Sequence, residues 1–278
     1  MGGPSENDER EHTEYGSYRA KHGRNLARGL IALAVLVVTI GAAGCERDTL
    51  DQMNGIYYKF DGKKVLCAAN LDASADNDLE SVTRGLERAR DRGEIIGIYA
   101  HDVGHTVSLE KLAAVLDEVV ELGLPFYTYP DLERELPHTG GVLLSFDDNY
   151  IADWYAAREL FESHGAKVTF FISKYDLASA SERDQLHALA ADGHAIEAHS
   201  RRHLRGPRYV EENGMNAYLA SEVLPSLNLL RADGFAPTVF AYPFGMRTGE
   251  TDRAILKYVD RVRSVSFSME GAGDPCPE

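Results

Sequence analysis

The sequence predicts an α/β fold in which helices alternate with the strands of a parallel sheet or barrel. From residue 64 to residue 267, short apolar runs alternate with segments of helical periodicity. The runs are apolar throughout, as at residues 95–100 (IIGIYA), which is typical of strands buried on both faces. Neither a repeat nor a linker divides this body, so we expect a single domain. In such folds the chemistry lies at the carboxyl ends of the strands.

The predicted elements follow one another along this body. The helix over residues 79–93 ends at a glycine, which is common just after a helix. Residues 109–123 carry apolar side chains at the spacing of one helix face. The helix over 181–193 opens with Ser181 and Asp184, spaced as in a capping box. Helices are also predicted over 153–165 and 251–260, and strands over 64–70, 95–100, 142–146, 167–172, 238–243 and 262–267.

The composition restricts the classes of partner. The chain has 278 residues, of which 44% are hydrophobic, and a net charge of −15 with a pI near 5.1. Residues 1–45 hold five acidic and five basic side chains, so 39 of the 44 acids and 24 of the 29 bases belong to residues 46–278. We expect no nucleic-acid partner, because such a surface repels phosphates.

We expect the N-terminal 45 residues to form a targeting segment and residues 46–278 to form the folded domain. A polar stretch with Arg19, Lys21, Arg24 and Arg28 precedes an uncharged run of sixteen, residues 29–44, which is followed directly by Cys45. The run is shorter than the roughly 20 residues of a membrane span but suits a secretory signal. The small residues before Cys45 resemble a bacterial lipoprotein signal, in which this cysteine is lipidated; an uncleaved membrane anchor is the alternative. Either way we expect export, since the positive charges precede the apolar run.

The three cysteines do not form a disulfide framework. If Cys45 carries lipid, Cys67 and Cys276 remain. Cys67 lies in an apolar run and is interpreted as a small core residue. Cys276 lies in a tail rich in Gly and Pro, and its pairing with Cys67 is left open.

Two adjacent carboxylates, Asp147 and Asp148, follow the apolar run at residues 142–146. Adjacent like charges disfavour each other's ionisation unless a positive charge lies nearby. A solvated turn would explain them, since Asp is a common turn residue. Their position just past the end of a predicted strand instead favours a functional site.

The stretch HSRRH, residues 199–203, holds two histidines that are four residues apart. On a helical turn both imidazoles would project from one face, as in helices that present two ligands to one divalent metal. His101 and His105 have the same spacing, so the spacing alone is weak evidence for a metal site. Combined with a carboxylate at a neighbouring strand end, His199 and His203 predict a metal site of two histidines and one carboxylate.

The stretch FAYPFG, residues 240–245, ends another predicted strand. Its proline fixes the turn, which could aim the backbone N–H of Phe244 into the cleft as an oxyanion donor. A simple strand-terminating turn is the alternative.

Together, SFDDN (145–149), HSRRH (199–203) and AYPF (241–244) resemble the first three motifs of the polysaccharide deacetylase family, also called NodB-homology or carbohydrate esterase family 4. The resemblance covers about residues 142–267. It implies a distorted (β/α)7-type barrel as a single catalytic domain. Members are metal-dependent enzymes that remove N- or O-acetyl groups from polymers such as chitin, peptidoglycan glycan or xylan, so an acetylated polysaccharide or oligosaccharide is the implied substrate.

The family's last motif, Leu-x-His on a final strand, has no counterpart at the C-terminus, because no histidine follows residue 245. Residues 93–132 instead resemble the family's C-terminal segment, with Tyr99 in place of the Leu and His101 as the His. Residues 71–93 resemble its penultimate segment. We therefore infer a circular permutation in which the last two βα units come first, as a closed barrel with adjacent ends tolerates.

The resemblance implies that Asp148, His199 and His203 bind one divalent metal. Zn²⁺ is the expected ion, with Co²⁺, Mn²⁺ or Ni²⁺ as alternatives, because this ligand set accepts several divalent ions. A dication would also let both adjacent aspartates stay ionised.

The resemblance also implies the catalytic roles. Asp147 would be the general base, His101 the general acid, and the N–H of Phe244 an oxyanion donor. Asp72 or Asp76 would be the carboxylate that tunes the histidine.

Two positions depart from the family pattern: Ala241 stands where an Arg usually orients the base, and Asn149 replaces the usual Gly. The first hypothesis is an exported, metal-dependent deacetylase of an N-acetylated polysaccharide of the cell envelope or extracellular matrix. Ala241 motivates a second, a catalytically weak carbohydrate-binding protein on the same barrel. A third is an O-acetyl esterase of the acetylxylan type.

Overall fold

The computed structural model describes residues 49–75, 77–266 and 275–277. The predicted targeting segment with Cys45 and the alternative carboxylate Asp76 lie outside these residues. The strands are β1 (Tyr57–Tyr58), β2 (Val65–Asn70), β3 (Ile95–Ala100), β4 (Phe126–Tyr127), β5 (Gly141–Asp148), β6 (Thr169–Ile172), β7 (Ala195–Ala198), β8 (Val239–Ala241) and β9 (Arg261–Val265). The helices are α1 (Leu79–Arg92), α2 (Leu109–Glu121), α3 (Ile151–Ala156), α4 (Arg158–Ser163), α5 (Ala180–Ala191), α6 (Gly206–Asn213), α7 (Met215–Tyr218), α8 (Leu224–Ala232) and α9 (Gly249–Ile255). Among the described residues, none of the helices has the length and apolar character of a membrane span.

Within the described chain, seven parallel strands close into a barrel. Their order around it is β2, β3, β5, β6, β7, β8 and β9, and β9 pairs again with β2. The two-residue strands β1 and β4 pair at the margins, with β3 and β5. This architecture confirms the predicted (β/α)7-type barrel.

Alternation along each strand divides the core in two. On β5, Val142, Leu144 and Phe146 belong to the large cluster between the barrel and its helices. Leu143, between them, belongs to a second cluster that draws on several other strands and fills the barrel interior. Buried side chains on both faces explain why the strands are apolar throughout.

Several predicted helix boundaries are wrong, among them that of the helix predicted over 251–260, which is observed as α9 at Gly249–Ile255. The helix that was to open at Ser181 begins at Ala180, because Ser179 is its cap. The Ser179 side chain accepts a hydrogen bond from the N–H of Glu182, whose carboxylate accepts one from the N–H of Ser179. The helix predicted over 153–165 is divided into α3 and α4.

A disulfide joins Cys67 on β2 to Cys276 in the C-terminal tail, the pairing that the sequence left open. Two hydrogen bonds also hold the tail: Arg247 Nη1 donates to the Pro275 carbonyl at 2.7 Å and Lys63 Nζ to the Pro277 carbonyl at 3.0 Å. The tail is thus fixed at the seam where β9 meets β2.

Candidate active site

Strand β5 ends in the two adjacent carboxylates, and both belong to the strand rather than to the turn after it. Asp147 is buried in the barrel, whereas Asp148 is partly exposed at the rim and has a left-handed φ of 84°. The Asp148 carbonyl accepts a hydrogen bond from the N–H of Ser173 at 2.9 Å, which holds the strand end against the chain leaving β6. The carboxylate of Asp147 therefore lies inside the barrel, whereas that of Asp148 lies at its rim.

The segment His199–His203 after β7 is a loop, not the helical turn that the histidine spacing predicted. Ser200 and His203 have left-handed φ values of 69° and 62°. These turns of the backbone bring the two imidazole rings together, with centroids 4.9 Å apart. Left-handed conformations of residues other than glycine are costly and cluster at functional sites.

A buried glutamate that sequence reasoning missed holds this loop in shape. Glu222 lies in the π-helical turn Leu219–Val223 and has no exposed surface. Its carboxylate accepts hydrogen bonds from Ser200 Oγ at 2.7 Å and the N–H of Arg202 at 2.9 Å, and its carbonyl accepts one from the N–H of Arg201. No local pattern marks it, because its partners lie about 20 residues away in the chain.

Asp148, His199 and His203, here called the ligand set, converge on one point. Asp148 Oδ1 lies 3.1 Å from His203 Nε2 and 3.6 Å from His199 Nε2. Two ligands about 2.0–2.1 Å from a tetrahedral ion are roughly 3.3 Å apart. The ligand set therefore fits one small divalent cation such as zinc, with positions left for water and substrate.

Both imidazoles of the ligand set are neutral at pH 7, as metal ligands must be. Burial lowers the pKa of His199, and burial together with the neighbouring His199 and Lys174 lowers the pKa of His203 to about 4. His199 Nδ1 lies 3.0 Å from the carbonyl oxygen of Ala241, to which it donates. This bond fixes the tautomer and leaves the lone pair of Nε2 facing Asp148.

Asp147 is paired with an arginine that the sequence analysis did not single out. Arg263 on β9 is buried, and its Nη2 donates to Asp147 Oδ1. Burial raises the pKa of Asp147, but Arg263, His199 and His101 together outweigh it, and the pKa lies below its usual value. The rings of Tyr99 and Phe171 lie 5.0 and 4.9 Å from the guanidinium carbon. Cation–π attraction thus offsets part of the desolvation of this charge.

Arg263 supplies the positive charge that Ala241 cannot. The two residues are direct partners in the pairing of β8 with β9, so they stand at the same level of adjacent strands. Compared with the family pattern, the arginine is therefore on the neighbouring strand, β9 instead of β8, and its guanidinium still lies beside Asp147. This finding removes the observation that motivated a catalytically weak protein.

His101 directly follows β3, whose residue Ala100 pairs with Phe146, so His101 lies beside the end of β5. Its Nδ1 makes a short hydrogen bond with Asp72 Oδ2, and Thr106 Oγ1 donates to the other oxygen of Asp72 at 2.7 Å. Burial lowers the pKa of His101, but the bond to Asp72 and the nearby aspartates outweigh it and raise the pKa. The imidazole is therefore suited to hold a proton near neutral pH.

An Asp72→Asn variant should lose activity at the alkaline end of the pH range. Asp72 raises the pKa of His101, so the protonated acid persists to higher pH in the wild type. Without it the pKa falls, and the alkaline limb of the kcat profile moves to lower pH. Profiles from pH 5 to pH 9 measure this shift. Asp184→Asn, the same change on the exposed side of α5, should leave the profile in place; an unmoved limb in Asp72→Asn would contradict the role.

Phe244 lies in the turn Pro243–Gly245 after β8 and has a left-handed φ of 59°. Its ring centroid is 4.6 Å from that of His203, so the turn borders the ligand set. The direction of its N–H toward a substrate oxygen stays a prediction.

A family model for polysaccharide deacetylases matches residues 136–260. The match spans β5 to α9 and so contains Asp147 and the whole ligand set. Over these residues the chain is similar to the polysaccharide deacetylase family. His101 and Arg263 lie outside the matched residues.

Solved structures of deacetylases are similar to this chain at low sequence identity. BC0361, a polysaccharide deacetylase from Bacillus cereus, has a TM-score of 0.50 at 14% identity, over 63% of this chain and 58% of its own. IcaB from Ammonifex degensii has a TM-score of 0.49 at 20% identity, over 58% of this chain and 78% of its own. The Streptococcus pyogenes deacetylase PplD has a TM-score of 0.48 at 19% identity, over 59% and 78%. No curated protein matches the chain significantly.

Proposed function

We propose that this chain is a metal-dependent hydrolase that removes acetyl groups from an N-acetylated polysaccharide of the cell envelope or extracellular matrix. One observation carries the proposal: three functional groups meet at the carboxyl ends of the barrel strands. They are the ligand set, the pair Asp147–Arg263 and the pair His101–Asp72. A cation site, an ionised base and a protonated acid are the parts that amide hydrolysis requires.

Each group has one role in the proposed reaction. A dication in the ligand set would polarise the acetyl carbonyl and make a nearby water molecule more acidic. Asp147, kept ionised by Arg263, accepts the proton of the attacking water. The N–H of Phe244 donates to the oxygen on which negative charge develops. His101, kept protonated with the help of Asp72, donates a proton to the leaving nitrogen.

We also propose that the barrel is circularly permuted relative to the family pattern. The strand that carries the first motif, β5, is the third strand of the barrel in chain order. The barrel strand before it, β3, ends at Ala100 and is followed directly by His101, as the family's last strand would be followed by its histidine. In the family's order, the strands that correspond to β9 and β2 would follow each other in the chain. The direct pairing of β9 with β2 supports the proposal, because it places these two strands side by side as that order requires.

Export is proposed on two grounds. Residues 1–45 have the charge and apolar pattern of a signal, with Cys45 as the lipidation site or the run as a membrane anchor. The disulfide Cys67–Cys276 supports export, since such bonds persist in oxidising compartments. The expected partners are therefore a membrane, through the N-terminus, and an acetylated polysaccharide.

The purified full-length chain should bind one zinc ion and release acetate from N-acetylchitotetraose. A chelator should abolish the release, and added Zn²⁺ should restore it, because carbonyl polarisation depends on the cation. Elemental analysis gives the stoichiometry, and an enzyme-linked acetate assay gives the rate. O-acetylated xylotetraose is assayed in parallel, and a higher kcat/KM on it would assign an O-acetyl esterase. Absence of metal, or acetate release that survives chelation, would refute the proposed site.

A further inference from the structure

A cavity of about 630 Å³ opens beside the loop that carries the ligand set. Ligand pockets in proteins measure about 300–1,000 Å³. The wall comes from two segments: residues after β6, including Lys174 and Asp176, and the loop residues Arg201 and Arg202. The ring of Tyr209 closes one side. Since Arg201 and Arg202 lie between His199 and His203 in the chain, the cavity adjoins the proposed reaction centre.

The wall of this cavity carries more positive than negative charge. Arg201 pairs with Asp176 at 3.0 Å, and Arg202 pairs with Glu222 at 2.5 Å. Glu222 is fully buried behind the wall, whereas the Arg202 side chain is 52% exposed. Each guanidinium has five N–H donors, and these ion pairs do not use all of them. Lys174 is exposed and makes no ion pair with any residue in the described ranges.

Lys174 is held in position near the ligand set. Its backbone has a left-handed φ of 52°, uncommon for a lysine, and its carbonyl accepts a hydrogen bond from the N–H of Leu177 at 2.9 Å. Lys174 directly follows Ser173, whose N–H donates to the carbonyl of Asp148 in the ligand set at 2.9 Å. Arg205 adds a cation on the same loop, with its guanidinium 4.8 Å from the ring of Phe244. Four cations thus surround the site in a chain whose net charge is −15.

We propose that the cavity is a subsite for an anionic group, a carboxylate or a phosphate, carried by the polysaccharide next to the acetylated sugar. Arginine forks and an ammonium are the groups that recognise such anions in proteins. The identity of the ligand as a polysaccharide rests on the proposed function. An anionic subsite would also explain why four cations lie at this site in an otherwise acidic chain. The acidic remainder repels an anionic polymer, whereas the cations attract it to the reaction centre.

Calorimetry on three matched tetrasaccharides tests the subsite without turnover. The probes are N-acetylchitotetraose, its C6-carboxylated form and its C6-phosphorylated form, each titrated into full-length Asp147→Asn protein. We expect an anionic probe to bind about tenfold more tightly than the neutral one, and Lys174→Gln to remove most of this preference, an effect typical of one charge-assisted contact. Preference for the carboxylate or for the phosphate identifies the anion.

Lys257→Gln is the matched control, because Lys257 is exposed and precedes β9, at the opposite end of the barrel. It should leave all three affinities unchanged. Equal binding of neutral and anionic probes, or equal losses from Lys174→Gln and Lys257→Gln, would overturn the subsite. Acetate release by the wild type is measured separately: its failure refutes the proposed hydrolase, whereas the binding preference decides the subsite in either case.

Discussion

An Asp147→Asn variant is expected to keep its metal and to hydrolyse N-acetylchitotetraose about 10³-fold more slowly, within the range of general acid–base catalysis. Asparagine has nearly the same shape, and Asp147 is not one of the ligand set, so metal content should stay at one ion per chain. The amide has no basic oxygen that can take a proton from water. Steady-state kinetics beside elemental analysis measures both quantities.

Asp148→Asn is the matched comparison, since the same change occurs one residue later. Asp148 Oδ1 is the atom that faces both histidines of the ligand set. This variant should therefore lose metal content together with activity. If Asp147→Asn loses the metal and Asp148→Asn keeps it, the roles of the two carboxylates are reversed; full activity in Asp147→Asn would eliminate the proposed mechanism.

An Arg263→Met variant is expected to unfold at lower denaturant, with the free energy of unfolding reduced by about 3–5 kcal/mol. Methionine fills a similar volume between Tyr99 and Phe171, but it leaves the buried carboxylate of Asp147 unpaired. Removing one partner of a buried ion pair costs far more than removing an exposed charge. Urea unfolding followed by circular dichroism gives the difference.

Arg253→Met, an exposed position on α9, should change the free energy of unfolding by less than about 0.5 kcal/mol. The double variant Asp147→Asn/Arg263→Met should recover part of the stability lost in Arg263→Met, because no charge is then left buried without a partner. An Arg263→Met protein as stable as the wild type would mean that Asp147 is neutral in the folded state.

The barrel could be predicted because its strands are buried on both faces and its helices show one apolar face, and both patterns are local. The candidate site could be predicted in part, since adjacent carboxylates and paired histidines stood at strand ends. The permutation was inferred from the missing histidine, and the structure brings His101 beside β5 as that inference requires.

The rest depends on contacts between distant segments. Arg263 is one of two arginines in β9, and no local pattern singles it out; its importance follows from the register that places it beside Ala241 and from its bond to Asp147. The loop His199–His203 was expected to be helical because the spacing i, i+4 also fits a helix. Its real shape comes from left-handed residues held by Glu222, about 20 residues further along the chain.

The disulfide joins Cys67 to Cys276, which are 209 positions apart in the sequence, and so closes most of the barrel into a covalent ring. When tension is applied to the two ends of the chain, the load passes through the sulfur atoms and bypasses every strand from β3 to β9. Of the whole chain, only residues 1–66 and 277–278 lie outside this ring.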